Sequence, residues 1–129
     1  TTISGTMAGN PEIVVVDDDA SMCQAIGRLL LTAGWRTHTF PSAEAFIDSP
    51  AYRHSDLLIL DMELPGISGL ELRQRMMKSG IEVPVIFMTG HDHPFLRSQA
   101  ETVGSKAYFT KPFQGDQMIA AVRRHLSIS

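Results

Sequence analysis

Four short apolar runs, each closed by a polar or charged group, organise this chain. Ile13-Val14-Val15-Val16 ends in Asp17-Asp18-Asp19, and Leu57-Leu58-Ile59-Leu60 ends in Asp61. Val85-Ile86-Phe87-Met88 ends in Thr89, and Lys106-Ala107-Tyr108-Phe109-Thr110 ends in Lys111-Pro112. Continuous apolar runs of this length suit strands covered on both faces. They predict strands over about Glu12 to Val16, Asp56 to Leu60, Val83 to Met88 and Lys106 to Thr110, with a fifth, shorter strand over Arg36 to Phe40. Pro84 falls near the start of its strand, where a missing N–H is tolerated.

Between the runs the period lengthens to that of helices. Met22, Ile26, Leu29, Leu30 and Ala33 form one stripe of a helix over about Ala20 to Ala33, stopped by Gly34 at C′. Pro41-Ser42 opens a second helix with Ser42 as N-cap and Ala45 and Phe46 inside. Ser68-Gly69-Leu70-Glu71 reads as a capping box for a third, which would bury Leu72 and Met76, with Met77 a further candidate, and end at Gly80. A weakly amphipathic fourth helix covers about Phe95 to Val103. A fifth, about Gln114 to Leu126, shows Met118, Ile119, Val122 and Leu126. Strict alternation with short loops predicts an α/β domain, a doubly wound (βα)5 fold on a five-stranded parallel sheet with right-handed crossovers. In such a sheet the C-terminal strand ends share one rim, where ligands bind. Acids, a hydroxyl and an ammonium converging there suit a Mg²⁺-assisted phosphoryl site.

Composition narrows the class. The chain has 129 residues, enough for one domain with a real core, and its apolar (43%) and charged (19%) contents are globular values. A net charge of −3 argues against the domain binding DNA or an anionic membrane by itself. The single Cys23 can form no internal disulfide, in keeping with a reducing compartment. There is no apolar stretch long enough to span a membrane and no signal peptide pattern, so cytoplasm is the expected location. Residues 1–10 are small and polar and lack a start methionine. They read as a disordered or added terminus, with the domain itself over 11–129.

Each polar group has an ordinary reading beside the functional one. Asp19 suits an N-cap. Asp17 and Asp18 together exceed what a cap needs, and clustered carboxylates repel unless a cation holds them. Thr89 alone could cap the fourth helix or the Gly90 turn, Lys111 could be a solvated surface lysine, and Asp61 a loop residue. As a set they describe a mechanism. A carboxylate attacks a phosphoryl group to give an acyl phosphate, Mg²⁺ offsets the charge, and the Thr89 hydroxyl and Lys111 ammonium bind the transferred group. Those contacts exist only in the modified state, so they can shift a two-state equilibrium.

The sequence resembles the receiver domains of two-component response regulators. The residues that carry the likeness are Val14-Val15-Val16-Asp17-Asp18-Asp19, Leu60-Asp61-Met62-Glu63-Leu64-Pro65 with Gly69 to Leu72, Phe87-Met88-Thr89-Gly90, and Tyr108-Phe109-Thr110-Lys111-Pro112-Phe113, over about Pro11 to Leu126. Spacings of 43 residues from Asp18 to Asp61, 28 to Thr89 and 22 to Lys111 make the combination specific. The resemblance implies a flavodoxin-like, CheY-like fold. It implies Asp61 as phosphoacceptor, Thr89 and Lys111 as its partners, and Mg²⁺ (or Mn²⁺) on Asp17, Asp18, Asp61 and the backbone carbonyl of Glu63. It further implies Thr89 and Tyr108 as the switch pair, Glu63 and His91 as residues tuning phosphoryl lifetime, and a cis Lys111-Pro112 bond. The family pattern has methionine where Leu64 stands and often an acidic residue just before the aromatic, where this chain has Lys106-Ala107. Glu63 either pairs with His91 or orders a water, or both face solvent.

The resemblance also implies partners. A sensor histidine kinase or phosphotransferase would dock near Asp19, Ser21 and Pro112. A homodimer would form on phosphorylation through the fourth helix, fifth strand and fifth helix, with Arg97, Glu101, Lys106, Asp116 and Arg123 as salt-bridge candidates. The motifs are closest in flavour to the FixJ/NarL class of transcription regulators, whose DNA-binding domain is missing here. Truncation is the preferred reading over a single-domain regulator. No membrane partner is expected. An aspartyl phosphohydrolase fits less well, because such enzymes place Asp-x-Asp after the first strand. A flavin protein lacks support, with no phosphate loop after the first strand. An interaction module that never takes phosphate is opposed by the intact acid, threonine and lysine set. His91-Asp92-His93 resembles a metal tract but has no further ligand close in sequence. Trp35 is expected to pack at the turn after the first helix.

Overall fold

The computed structural model describes residues 10–126. The expectation for the N-terminal tail therefore lies, apart from Asn10, outside the described residues. Five parallel strands form one sheet: β1 (Ile13–Val16), β2 (Thr37–Phe40), β3 (Leu57–Asp61), β4 (Val85–Thr89) and β5 (Ala107–Thr110), in the order β2-β1-β3-β4-β5. Five helices alternate with them: α1 (Ala20–Leu31), α2 (Ala43–Ile47), α3 (Gly69–Lys78), α4 (Pro94–Thr102) and α5 (Gly115–His125). This is the expected doubly wound (βα)5 architecture, whose strand order reverses between β1 and β3.

The apolar strands supply two cores because successive side chains point to opposite faces. Val14, Val16, Leu58, Leu60, Val85 and Phe87 pack on one face with Phe46 of α2, Leu72 and Met76 of α3 and Ala100 of α4. Ile13, Val15, Leu57, Ile59, Ile86 and Met88 pack on the other with Cys23, Ile26 and Leu30 of α1 and Met118 and Val122 of α5. Neither face of β1, β3 or β4 meets water, which is why those runs carry no polar alternation.

Several local expectations need correction. Helix α1 ends at Leu31 with Thr32 as its cap, and Gly34, at φ +90°, lies two residues beyond that cap rather than at C′. Its innermost residue near the rim is Cys23, with Met22 only half-buried. In α2 the buried pair is Ala43 and Phe46, since Ala43 lies one turn back on the inner face. Only half of the Ser68 capping box forms. Ser68 Oγ accepts from Glu71 N at 3.1 Å, but the Glu71 carboxylate turns to Arg75 at 3.1 Å. Met77 is 49% exposed, on the opposite side of α3 from Leu72. Of the two ordinary readings of Thr89, the Gly90 turn forms, with Thr89 Oγ1 accepting from His91 N at 3.1 Å, and the helix cap does not; the N-cap of α4 is His93, whose Nδ1 accepts from Phe95 N at 3.0 Å, with Pro94 at the first helical position. A 3₁₀ turn over Pro50–Arg53 was not expected. Trp35 packs on the α1/α5 core with the Arg123 guanidinium 5.3 Å from its ring centre, so it reaches further than the local turn. No helix among the described residues is long and apolar enough to cross a membrane.

Candidate functional site

Register brings the four run ends together. Val16 pairs with Leu60 across β1 and β3, so Asp17 follows one strand beside Asp61 on the next. Asp61 pairs with Met88, and Thr89 with Thr110, which places Lys111 one residue beyond. Asp17 is 1% exposed, Asp61 5% and Thr89 0%, a depth that polar groups reach only with partners.

Lys111 links the two buried acids. Its Nζ donates to Asp17 Oδ2 at 2.8 Å and to Asp61 Oδ2 at 3.1 Å. The remaining oxygens take backbone N–H groups: Asp19 N donates to Asp17 Oδ1 and Glu63 N to Asp61 Oδ1, both at 2.9 Å. Burial pushes the Asp17 carboxyl above its ordinary value, with the charge of Asp61 adding to the shift, while Lys111 and Asp19 N pull the other way. Burial works against the Lys111 ammonium, yet the two carboxylates outweigh it and hold its pKa raised. The Lys111–Pro112 peptide is cis.

Asp18 stays exposed and completes an acidic trio. Asp17, Asp18 and Asp61 each present a carboxylate oxygen, all within 4.8 Å of one another. Three carboxylates against one ammonium leave an anionic, all-oxygen donor set, which fits a hard divalent cation. Asp19 takes the ordinary role, accepting from Ser21 N at 2.9 Å and Met22 N at 3.4 Å as the cap of α1. His91 and His93 do not join the acids, so the histidine tract forms no cluster of converging ligands among the described residues.

The third corner is built from the loop after β4. Thr89 Oγ1 donates to Glu63 Oε1 at 2.7 Å and accepts from His91 N at 3.1 Å. His91 Nδ1 lies 3.2 Å from both Glu63 oxygens, the pairing that stood as one of three readings of Glu63. The Thr89 hydroxyl holds the Glu63 carboxyl below its ordinary value, helped by His91 and opposed by burial. The link between Glu63 and Thr89 was missed from sequence, where nothing marks two side chains 26 residues apart as partners. Tyr108 lies half-buried on β5, with Arg97 4.4 Å from its ring centre and its hydroxyl 3.3 Å from Asp92 Oδ1. Arg97 also pairs with Asp92 at 3.1 Å, within the chain. Asp19, Ser21 and Pro112 are exposed around the rim.

Gly69, read in the sequence as part of the capping box and of the family likeness, has a positioning role that the sequence did not reveal. A Cβ on Gly69 would overlap the carbonyl oxygen of Asp61 and come within 2.9 Å of Met62 Cα. Only glycine lets the first turn of α3 close onto the backbone of the acidic residue, and Gly69 N donates to Met62 O at 3.2 Å.

The family model for the response regulator receiver domain matches residues 13–123. Response regulator protein TmoT of Ectopseudomonas mendocina is 32% identical over 117 residues, covering 91% of this chain and 53% of that protein. Transcriptional regulatory protein FixJ of Azorhizobium caulinodans is 36% identical over 115 residues, covering 89% and 54%. Among solved structures, a response regulator receiver protein from Burkholderia phymatum superimposes with a TM-score of 0.79 at 42% identity, covering 93% of this chain and 98% of that one. The chain spans about half the length of the curated relatives it matches.

Proposed function

The chain belongs to the response regulator receiver domain family of two-component signalling, and from that premise we propose that Asp61 is its phosphoacceptor. A carboxylate oxygen of Asp61 attacks the phosphorus of a phosphorylated histidine. The P–O bond to Asp61 forms as the P–N bond breaks, and the electron pair returns to the imidazole, which takes up a proton. The product is an acyl phosphate on Asp61. The observation that carries this reading is the convergence of buried Asp17 and Asp61 on one lysine ammonium at a rim also lined by Thr89.

The residues then divide the work. Asp17, Asp18, Asp61 and the backbone carbonyl of Glu63 would hold Mg²⁺, or Mn²⁺, which supplies charge neutralisation for the incoming dianion. Lys111 exchanges part of its pairing with the acids for a phosphoryl oxygen, a charge-assisted bond. Thr89 donates its hydroxyl to another, and Tyr108 follows into the space that Thr89 leaves. Glu63 and His91 stand over the same opening and tune the lifetime of the acyl phosphate, whose slow hydrolysis is self-catalysed.

The donor is a sensor histidine kinase or phosphotransferase docking at the exposed rim. The output is a homodimer through α4, β5 and α5, read by a DNA-binding domain like those of the FixJ-type regulators, in the cytoplasm. Arg97 and Arg123 already have partners within the chain, so Glu101, Lys106 and Asp116 are the candidates left for contacts across that dimer. Residues 11–129 form the receiver unit.

Intact mass after incubation with acetyl phosphate tests the core of this reading. Wild type with Mg²⁺ gains one phosphoryl group; without Mg²⁺, or with Asp61→Asn, it does not. No gain in folded wild type under any condition would reduce the domain to an interaction module.

A further inference from the structure

The hydroxyl of Thr89 carries one proton, and that proton is already committed. Oγ1 donates to Glu63 Oε1 at 2.7 Å, while its oxygen accepts from His91 N at 3.1 Å. The alternative acceptor, His91 O, is longer at 3.3 Å. The Glu63 carboxylate is itself steadied by His91 Nδ1, 3.2 Å from each oxygen. Thr89 is fully buried, so water is not an easy substitute partner.

A phosphoryl oxygen on Asp61 would need the same proton. Every contact that Thr89 makes with the phosphoryl group must therefore displace a short hydrogen bond to a carboxylate, a stronger class of bond than one between neutral groups. We propose that Glu63 is a competitor for the switch hydroxyl: its carboxylate retains Thr89 in the unphosphorylated arrangement and so limits how far phosphorylation shifts the equilibrium. The inference rests on the assignment of Asp61 and Thr89 above. It differs from simple repulsion of the phosphoryl group by Glu63, because it acts through Thr89 and requires the hydroxyl.

A double-mutant cycle separates the two. The probe is beryllofluoride with saturating Mg²⁺, which mimics a bound phosphoryl group without turnover. Its affinity is read from amide resonances of Gly90 and Tyr108 in the whole chain. Glu63→Ala should bind the probe at least about threefold more tightly than wild type, as expected for loss of a competing hydrogen bond to a charged group. In a Thr89→Val background the same change should have no effect. Thr89→Ser restores the hydroxyl and should restore the gain, which also guards against a packing defect in Thr89→Val. An equal gain in both backgrounds would assign the effect to charge repulsion and overturn the proposal, as would no gain in either. A wild type that binds no probe would fail the receiver assignment itself, and that arm is read separately from the Glu63 comparison.

Discussion

At the scale of single residues, the rim is a problem in charge compensation. Asp17 is nearly inaccessible and shares one ammonium with Asp61. Its pKa in the folded state is raised above the ordinary 3.8, first by burial and then by the neighbouring Asp61 charge. The stabilisation that goes with a raised carboxyl pKa is complete below the unfolded value and is lost as pH rises through the folded one. At neutral pH burial of the ionised Asp17 is thus a cost, offset in part by its pairing with Lys111, whose own pKa the two carboxylates hold raised. Asp17→Asn should raise the melting temperature in chelator at pH 7 by roughly a few degrees, with the advantage shrinking as pH falls towards 4. It should also remove most of the stabilisation that Mg²⁺ gives the wild type. A melting temperature lowered by the substitution at pH 7 would show that Asp17 is fully compensated without a cation. The acids, threonine and lysine were legible in the sequence because each ends an apolar run. The Glu63–Thr89 bond was not, because it depends on how the two loops after β3 and β4 approach one another.

At the scale of elements, the site depends on how tightly helices close onto strand ends. The start of α3 sits against the Asp61 carbonyl with no room for a side chain at position 69. Gly69→Ala should cost about 2–3 kcal/mol, the range for forcing atoms into a packed space, seen as a lower urea midpoint with an unchanged slope. A midpoint equal to wild type would mean that α3 shifts freely and does not position Asp61. Strand assignments from sequence held because an apolar run with no alternation has few other uses. Helix faces were less legible: successive residues lie about 100° apart, so the edge of an apolar stripe is hard to fix from a short helix, and Met77 and Ala45 lie one residue from the buried Met76 and Phe46. Helix α4 shows the converse. Its contact with the sheet is narrow, with Ala100 as its one buried residue, Leu96 packed beside it and Phe95 61% exposed.

At the scale of the whole molecule, two apolar layers fix the sheet and leave its C-terminal rim as the place where buried polar groups collect. Asp17, Asp61 and Thr89 are the buried polar or charged residues among those described, and all three lie there. Strict alternation of runs and stripes made this topology legible, since parallel strands with right-handed crossovers admit few arrangements. What alternation does not carry is long-range side-chain traffic, such as Arg73 of α3 reaching the carbonyls of Val83 and Val103 at 3.1 Å, or Arg123 of α5 covering Trp35. A rim so arranged should take a phosphoryl group on Asp61 and nowhere else. The most direct test is borohydride trapping after treatment with acetyl phosphate and Mg²⁺, followed by peptide mapping. Reduction of an acyl phosphate to homoserine is expected at position 61 alone, dependent on Mg²⁺. Homoserine at Asp17 or Asp18, or a stable phosphate ester on Thr89 in its place, would contradict it.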